Sequence, residues 1–111
     1  ALTPLEVPAA AKQAIADGYA KIMVVSMGPE GAWIVSSEES HHCKAPSVPK
    51  KSTVGAGDSM VAGITSMLLK EQALREVIRF GVACGTAATM NEGTQLFRKE
   101  DVDSLFNSMR E

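Results

Sequence analysis

Ser52-Thr53-Val54-Gly55-Ala56-Gly57-Asp58-Ser59 is the stretch on which the reading of this chain turns. A helical pattern of apolar residues follows it: Met60, Val61, Ile64, Met67 and Leu68. Glycines at 55 and 57 admit positive φ values and let backbone N–H groups converge on an anion. The helix behind them adds unpaired amides and the positive end of its dipole. Such a turn attracts phosphate. An acid at its lip would repel that ligand, so Asp58 makes sense as a base that deprotonates a nucleophile attacking a phosphoryl group held on the glycines.

Composition bounds the rest. A chain of 111 residues with 45% hydrophobic content is expected to lie within one globular domain. A net charge of -2, from 11 basic and 13 acidic residues, gives no general case for nucleic acid or anionic membrane as a partner. Cys43 and Cys84 are too few for a disulfide scaffold. No apolar run approaches the roughly 20 residues needed to cross a bilayer, and nothing resembles a secretory signal. A soluble, cytoplasmic protein is expected.

Outward from the glycine turn, the chain alternates strand and helix signals. Residues 9–16 favour helix, with Pro8 in the first turn and Gly18 as a stop. Lys21-Ile22-Met23-Val24-Val25-Ser26 is a short apolar run of the kind that parallel sheets bury on both faces. Met27-Gly28-Pro29-Glu30-Gly31 predicts a turn, and Ala32-Trp33-Ile34-Val35-Ser36 a second strand, its hairpin partner. A further turn is expected at 37–40 and an extended segment at 41–48, where Pro46 and Pro49 oppose helix. Helices are predicted near 58–70, 74–90 and 99–110. The 74–90 segment carries Gly81 and Gly85, and each glycine costs a helix roughly 1 kcal/mol relative to alanine. Either tight helix-on-sheet packing or a shallow wall for a flat ligand accounts for them, and composition favours packing.

So apolar a strand as 22–25 needs neighbours on both edges, and the chain offers few other strands. These residues are therefore expected to be part of a larger α/β domain.

Three motifs in order then resemble the PfkB/ribokinase family of sugar kinases. They are Val24-Val25-Ser26-Met27-Gly28-Pro29-Glu30-Gly31-Ala32, the stretch from Ser52 through Asp58-Ser59-Met60-Val61-Ala62-Gly63, and Arg79-Phe80-Gly81-Val82-Ala83-Cys84-Gly85-Thr86-Ala87-Ala88-Thr89 with Asn91-Glu92-Gly93-Thr94. The form of the second is most similar to the branch acting on phosphorylated sugars. The resemblance implies the C-terminal part of a three-layer α/β/α domain, with the lid and N-terminal strands absent and with Ala1 an artificial or proteolytic start. It implies ATP-dependent phosphorylation of a sugar phosphate, fructose 6-phosphate first, with fructose 1-phosphate and tagatose 6-phosphate as alternatives. A non-catalytic nucleotide-binding module is the reading from a different class. Mg²⁺ and, in part of the family, K⁺ accompany the reaction. A homodimer is implied for the full-length protein.

Residue by residue, Asp58 matches the family's catalytic base, and Gly55, Ala56 and Gly57 its anion hole. Ser26, Gly28, Gly31, Thr53, Val82, Thr86 and Asn91 match nucleotide contacts, with Val82 against the adenine. A hairpin turn competes for Gly28 and Gly31, and a core position for Val82. Ser52, Val54, Ala88, Asn91 and Gly93 resemble the monovalent-cation site, built from main-chain carbonyls, although Gln95 stands where that branch often has arginine. The Asn-x-x-Glu motif tied to magnesium is not present in these residues. His41, His42 and Cys43 are too close in sequence to close on one ion, and an exposed strand or loop is expected there. The six methionines read as core filling and Trp33 as packed in the hairpin.

Overall fold

Gly55 sets the start of the helix behind the glycine turn. It adopts φ +82° and ψ −2°, a left-handed conformation that an L side chain resists, and Ala56 begins the helix immediately after it. The computed structural model describes residues 6–90 and 98–109. Within them the order is α1 (Val7–Ala16), β1 (Ile22–Ser26), a 3₁₀ turn (Gly28–Glu30), β2 (Ala32–Ser36), β3 (Ser40–Cys43), α2 (Ala56–Leu69), α3 (Leu74–Thr89) and α4 (Lys99–Ser108).

The three strands form one antiparallel sheet in the order β1-β2-β3. β1 and β2 are the expected hairpin, pairing Ile22 with Ser36 through Ser26 with Ala32. β3 runs back along β2, with Cys43 opposite Ala32 and Ser40 opposite Val35. The turn between them is closed by Ser36, whose hydroxyl oxygen accepts from the amides of Glu38 and Glu39. The extended segment predicted over 41–48 pairs only as far as Cys43, before Pro46, which has no N–H to give a ladder.

Helices cover the sheet on both sides. Ala32 and Ile34 face a core with Ile64 of α2 and with Val77, Ile78 and Val82 of α3. Val35, on the alternate face, is also fully buried, and α1 is the helix packed against β1 and β2. α4 lies on α3, where Val102 joins Ala83, Cys84 and Ala87, and Phe106 meets Phe80 edge-on. This layering agrees with the three-layer expectation.

Two local readings differ from what the sequence suggested. β1 is not buried on both faces: Met23, Val24 and Val25 are half-buried and Ile22 is exposed, because no described strand lies on its outer edge. The glycines of α3 answer to a helix rather than to the sheet. A Cβ on Gly81 would sit 2.5 Å from Cγ1 of Ile64, and one on Gly63 of α2 would sit 2.7 Å from Sγ of Cys84. α2 and α3 cross backbone to backbone at these residues.

Candidate active site

α2 presents its first turn to a cleft. Ser59 N–H donates to the Gly55 carbonyl at 3.0 Å and Ala56 N–H to that of Thr53 at 3.3 Å. The amides of Gly57 and Asp58 lie between these two and have no hydrogen-bond acceptor among the described residues. No side chain caps the helix, so these donors stay open. A Cβ on Gly57 would meet nothing within 4 Å. At Gly57 the cradle anticipated at residues 55–57 is therefore open to an approaching group.

The cleft measures about 320 Å³ and gathers pieces of four elements. Ser26, Gly28, Pro29 and Gly31 come from the end of β1 and the 3₁₀ turn; Ala45, Pro46, Lys50 and Thr53 from the segment after β3. Ala56, Gly57 and Met60 come from α2, and Val82, Gly85, Thr86 and Thr89 from α3. Six of the seven candidate nucleotide residues thus line one cavity: Ser26, Gly28, Gly31, Thr53, Val82 and Thr86. The seventh, Asn91, lies outside the described residues. Size and lining suit a nucleoside: apolar walls with a few hydroxyls and open amides that fix orientation.

Some of these residues also have a structural duty. Gly31 (φ +87°) is required by the fold, since a Cβ there would collide with the Cys43 carbonyl of β3. Gly28 (φ +59°) faces open space. Val82 is 4% exposed and belongs to the core, and it also lines the cleft.

A hydrogen-bonded chain ties the wall to the cradle. Thr89 Oγ1 donates to the Thr86 carbonyl at 2.6 Å. The Thr89 carbonyl accepts from the amides of Lys51 at 2.7 Å and Ser52 at 3.2 Å. Ser52 Oγ then accepts from Val54 N–H at 3.1 Å. The end of α3 is so fastened to the segment leading into Gly55.

Asp58 stands at the third position of α2, in its acidic first turn, and is exposed. Its carboxylate has no hydrogen-bond or ion-pair partner among the described residues. Of the candidate cation ligands, the carbonyls of Ser52 and Val54 accept no hydrogen bond from the described residues, Ala88 is buried near the end of α3, and Asn91 and Gly93 lie outside them. No group of three His, Cys, Asp or Glu side chains converges to hold a metal among the described residues. His42 Nε2 sits 2.7 Å from the Glu30 carbonyl and His41 Nε2 2.5 Å from Glu39, both on β3. Burial, with a smaller effect from Asp103, pushes the Cys84 thiol up to about 12, so it stays neutral and unreactive.

A family model described as pfkB family carbohydrate kinase matches residues 2–101. The chain belongs to the pfkB family of carbohydrate kinases. Among relatives in that family, it is 46% identical over 103 residues to the ATP-dependent 6-phosphofructokinase isozyme 2 of Escherichia coli, covering 93% of this chain and 33% of that one. It is 32% identical to the 1-phosphofructokinase of Bacillus subtilis, covering 87% of this chain and 33% of the relative. The crystal structure of phosphofructokinase-2 from Escherichia coli in complex with potassium superposes with a TM-score of 0.92 at 44% identity, covering 97% of this chain and 35% of the other. The chain spans about a third of the length of the curated relatives it matches. The branch expected from the form of the glycine motif, kinases of phosphorylated sugars, is the one these relatives occupy.

Sequence reasoning passed over Pro29, Ala45, Pro46, Lys50, Met60 and Thr89 as lining residues. Gly85, for which a ligand wall was the alternative to packing, does line the cleft. Ala45 and Pro46 had no signal, because their place depends on where β3 stops.

Proposed function

We propose that this chain supplies the nucleotide cleft, the anion cradle and the general base of an ATP-dependent sugar-phosphate kinase, with fructose 6-phosphate as acceptor. The observation that carries the reading is the opening of the unpaired Gly57 and Asp58 amides beside a cleft already lined by six nucleotide candidates. In this reading the adenine lies against Val82 of α3. The triphosphate runs along Gly28 and Thr53 toward the start of α2.

Asp58 takes the proton of the sugar hydroxyl as its oxygen attacks the γ-phosphorus in line. The bond from phosphorus to the β,γ-bridging oxygen breaks and ADP leaves. The Gly57 and Asp58 amides, with the helix dipole behind them, hold the charge that gathers on the transferring group. Magnesium accompanies nucleotides in this reaction class and neutralises phosphate charge. No three His, Cys, Asp or Glu side chains converge to hold it among the described residues, and it is assigned to none of them. Potassium, if held, would rest on the Ser52 and Val54 carbonyls and would order the glycine turn without touching substrate.

Turnover of the full-length protein carrying Asp58→Asn tests the base. A loss of about 100- to 10,000-fold in kcat is expected, with KM for ATP nearly unchanged and thermal stability lowered by no more than about 1 kcal/mol, since the carboxylate has no partner among the described residues beyond the helix dipole. Near-normal turnover would overturn the assignment. A panel of fructose 6-phosphate, fructose 1-phosphate and tagatose 6-phosphate decides the acceptor. Binding of ATP without transfer to any of them would favour the non-catalytic module. The homodimer remains part of the same proposal and is read by sedimentation of the full-length protein.

A further inference from the structure

Among the described residues that line the cleft, one carries a formal charge, and it is positive. Its wall consists of serine, threonine, glycine, alanine, proline, methionine and valine residues together with Lys50. The Lys50 ammonium has no hydrogen-bond or ion-pair partner among the described residues. Asp58, the acid of the neighbouring turn, does not line the cavity. The base of the Lys50 side chain is nevertheless well fixed. The next two amides, of Lys51 and Ser52, both donate to the Thr89 carbonyl, which anchors this segment to the helix forming the cleft's wall.

An exposed lysine usually needs no explanation, because most of them only face water. Lys50 differs in its setting. It hangs from an anchored backbone over a cavity whose other described lining residues are neutral. A nucleotide triphosphate entering there carries several negative charges, and hydroxyls and two amides alone would leave them poorly balanced. Lysine suits this task, since its compact charge sits on a flexible four-carbon arm that can follow a phosphate.

We infer that Lys50 binds the polyphosphate chain of the nucleotide and so sets the preference of this cleft for phosphorylated nucleosides over the bare nucleoside. The inference rests on the nucleotide reading of the cleft. It adds a residue outside the glycine motifs.

Calorimetric titration of the full-length protein and its Lys50→Met variant with ATP, ADP and adenosine tests it. For ATP, Kd should rise about three- to tenfold, the range of an ion pair at an incompletely dried site. ADP should lose less and adenosine less than about twofold. The ATP difference should shrink at high salt, and Lys50→Arg should restore most of it. Equal ATP affinity in the Met variant would overturn the inference. So would an equal loss for adenosine, which would mean that Lys50 merely supports the wall. If the unsubstituted protein bound neither ATP nor adenosine, the nucleotide reading itself would fall with it. ATP binding without phosphoryl transfer would instead leave Lys50 standing and remove only the catalytic assignment.

Discussion

At residue scale, the two glycines of the turn do different work, and one pair of substitutions separates them. Gly55 is at φ +82°, so an alanine there is strained by its backbone conformation alone. Gly57 is the second residue of α2, with helical backbone and nothing within 4 Å of where a Cβ would stand. Alanine at 57 should therefore favour folding by up to about 1 kcal/mol, because it relieves the cost of glycine in a helix. The same methyl would stand where the proposed phosphate comes close to the backbone. Gly55→Ala is expected to lower the unfolding midpoint by about 1–2 kcal/mol in stability. Gly57→Ala is expected to raise it while weakening ATP binding and turnover. Parallel denaturant melts and nucleotide titrations would read both. A Gly57→Ala variant with full activity would mean that no anion approaches that amide. This difference was only partly visible in sequence. Gly-Ala-Gly announces a backbone that must turn or be approached closely, but which glycine does which depends on where the helix begins.

At the scale of elements, the pairing of α2 with α3 governs where the wall of the cleft stands relative to its cradle. Gly63 and Gly81 let the two backbones come together, and Gly85 faces the Ala56 carbonyl at 3.2 Å from where its Cβ would lie. Gly81→Ala should gain about 1 kcal/mol in helix propensity and lose about 1–3 kcal/mol to overpacking against Ile64. A net destabilisation is expected in urea. Ile64→Val on top of it should cost less than it costs alone, since the two side chains compete for one space. Additive losses would show that Gly81 is not pressed against Ile64. The sequence showed both helices from their apolar period and placed each within a few residues of its observed ends. It showed that Gly81 and Gly85 needed a reason, and it favoured the sheet over a ligand wall without offering the neighbouring helix. A small residue reports only that something comes near, and the identity of that neighbour is settled by the crossing of two helices distant from each other in the chain.

At the scale of the molecule, legibility follows the motifs. The glycine turn, the Gly28–Gly31 hairpin and the small-residue helix were each readable as local patterns, and their meeting around one cleft is a consequence of the α/β layering. The burial of β1 was less legible, because apolarity in a strand records the neighbours it is built for. In these 111 residues the outer edge of β1 faces no described strand, and Ile22 is 36% exposed. An open, apolar edge is a template for pairing with another chain. When the 111 residues are expressed by themselves, they should associate as concentration rises. Ile22→Lys, which sets a charge on that edge at an exposed position, should shift sedimentation toward monomer without loss of helical circular dichroism. If the variant associates as strongly as the unsubstituted chain, the contact lies elsewhere, with exposed Val61 and Leu69 of α2 the next surface to change. In a longer protein that pairs this edge, the same lysine should instead destabilise the fold, because the charge would then lie within a continuous sheet. The two outcomes, relief in the short chain and damage in the long one, follow from a single cause: β1 carries more apolar surface than its described neighbours cover.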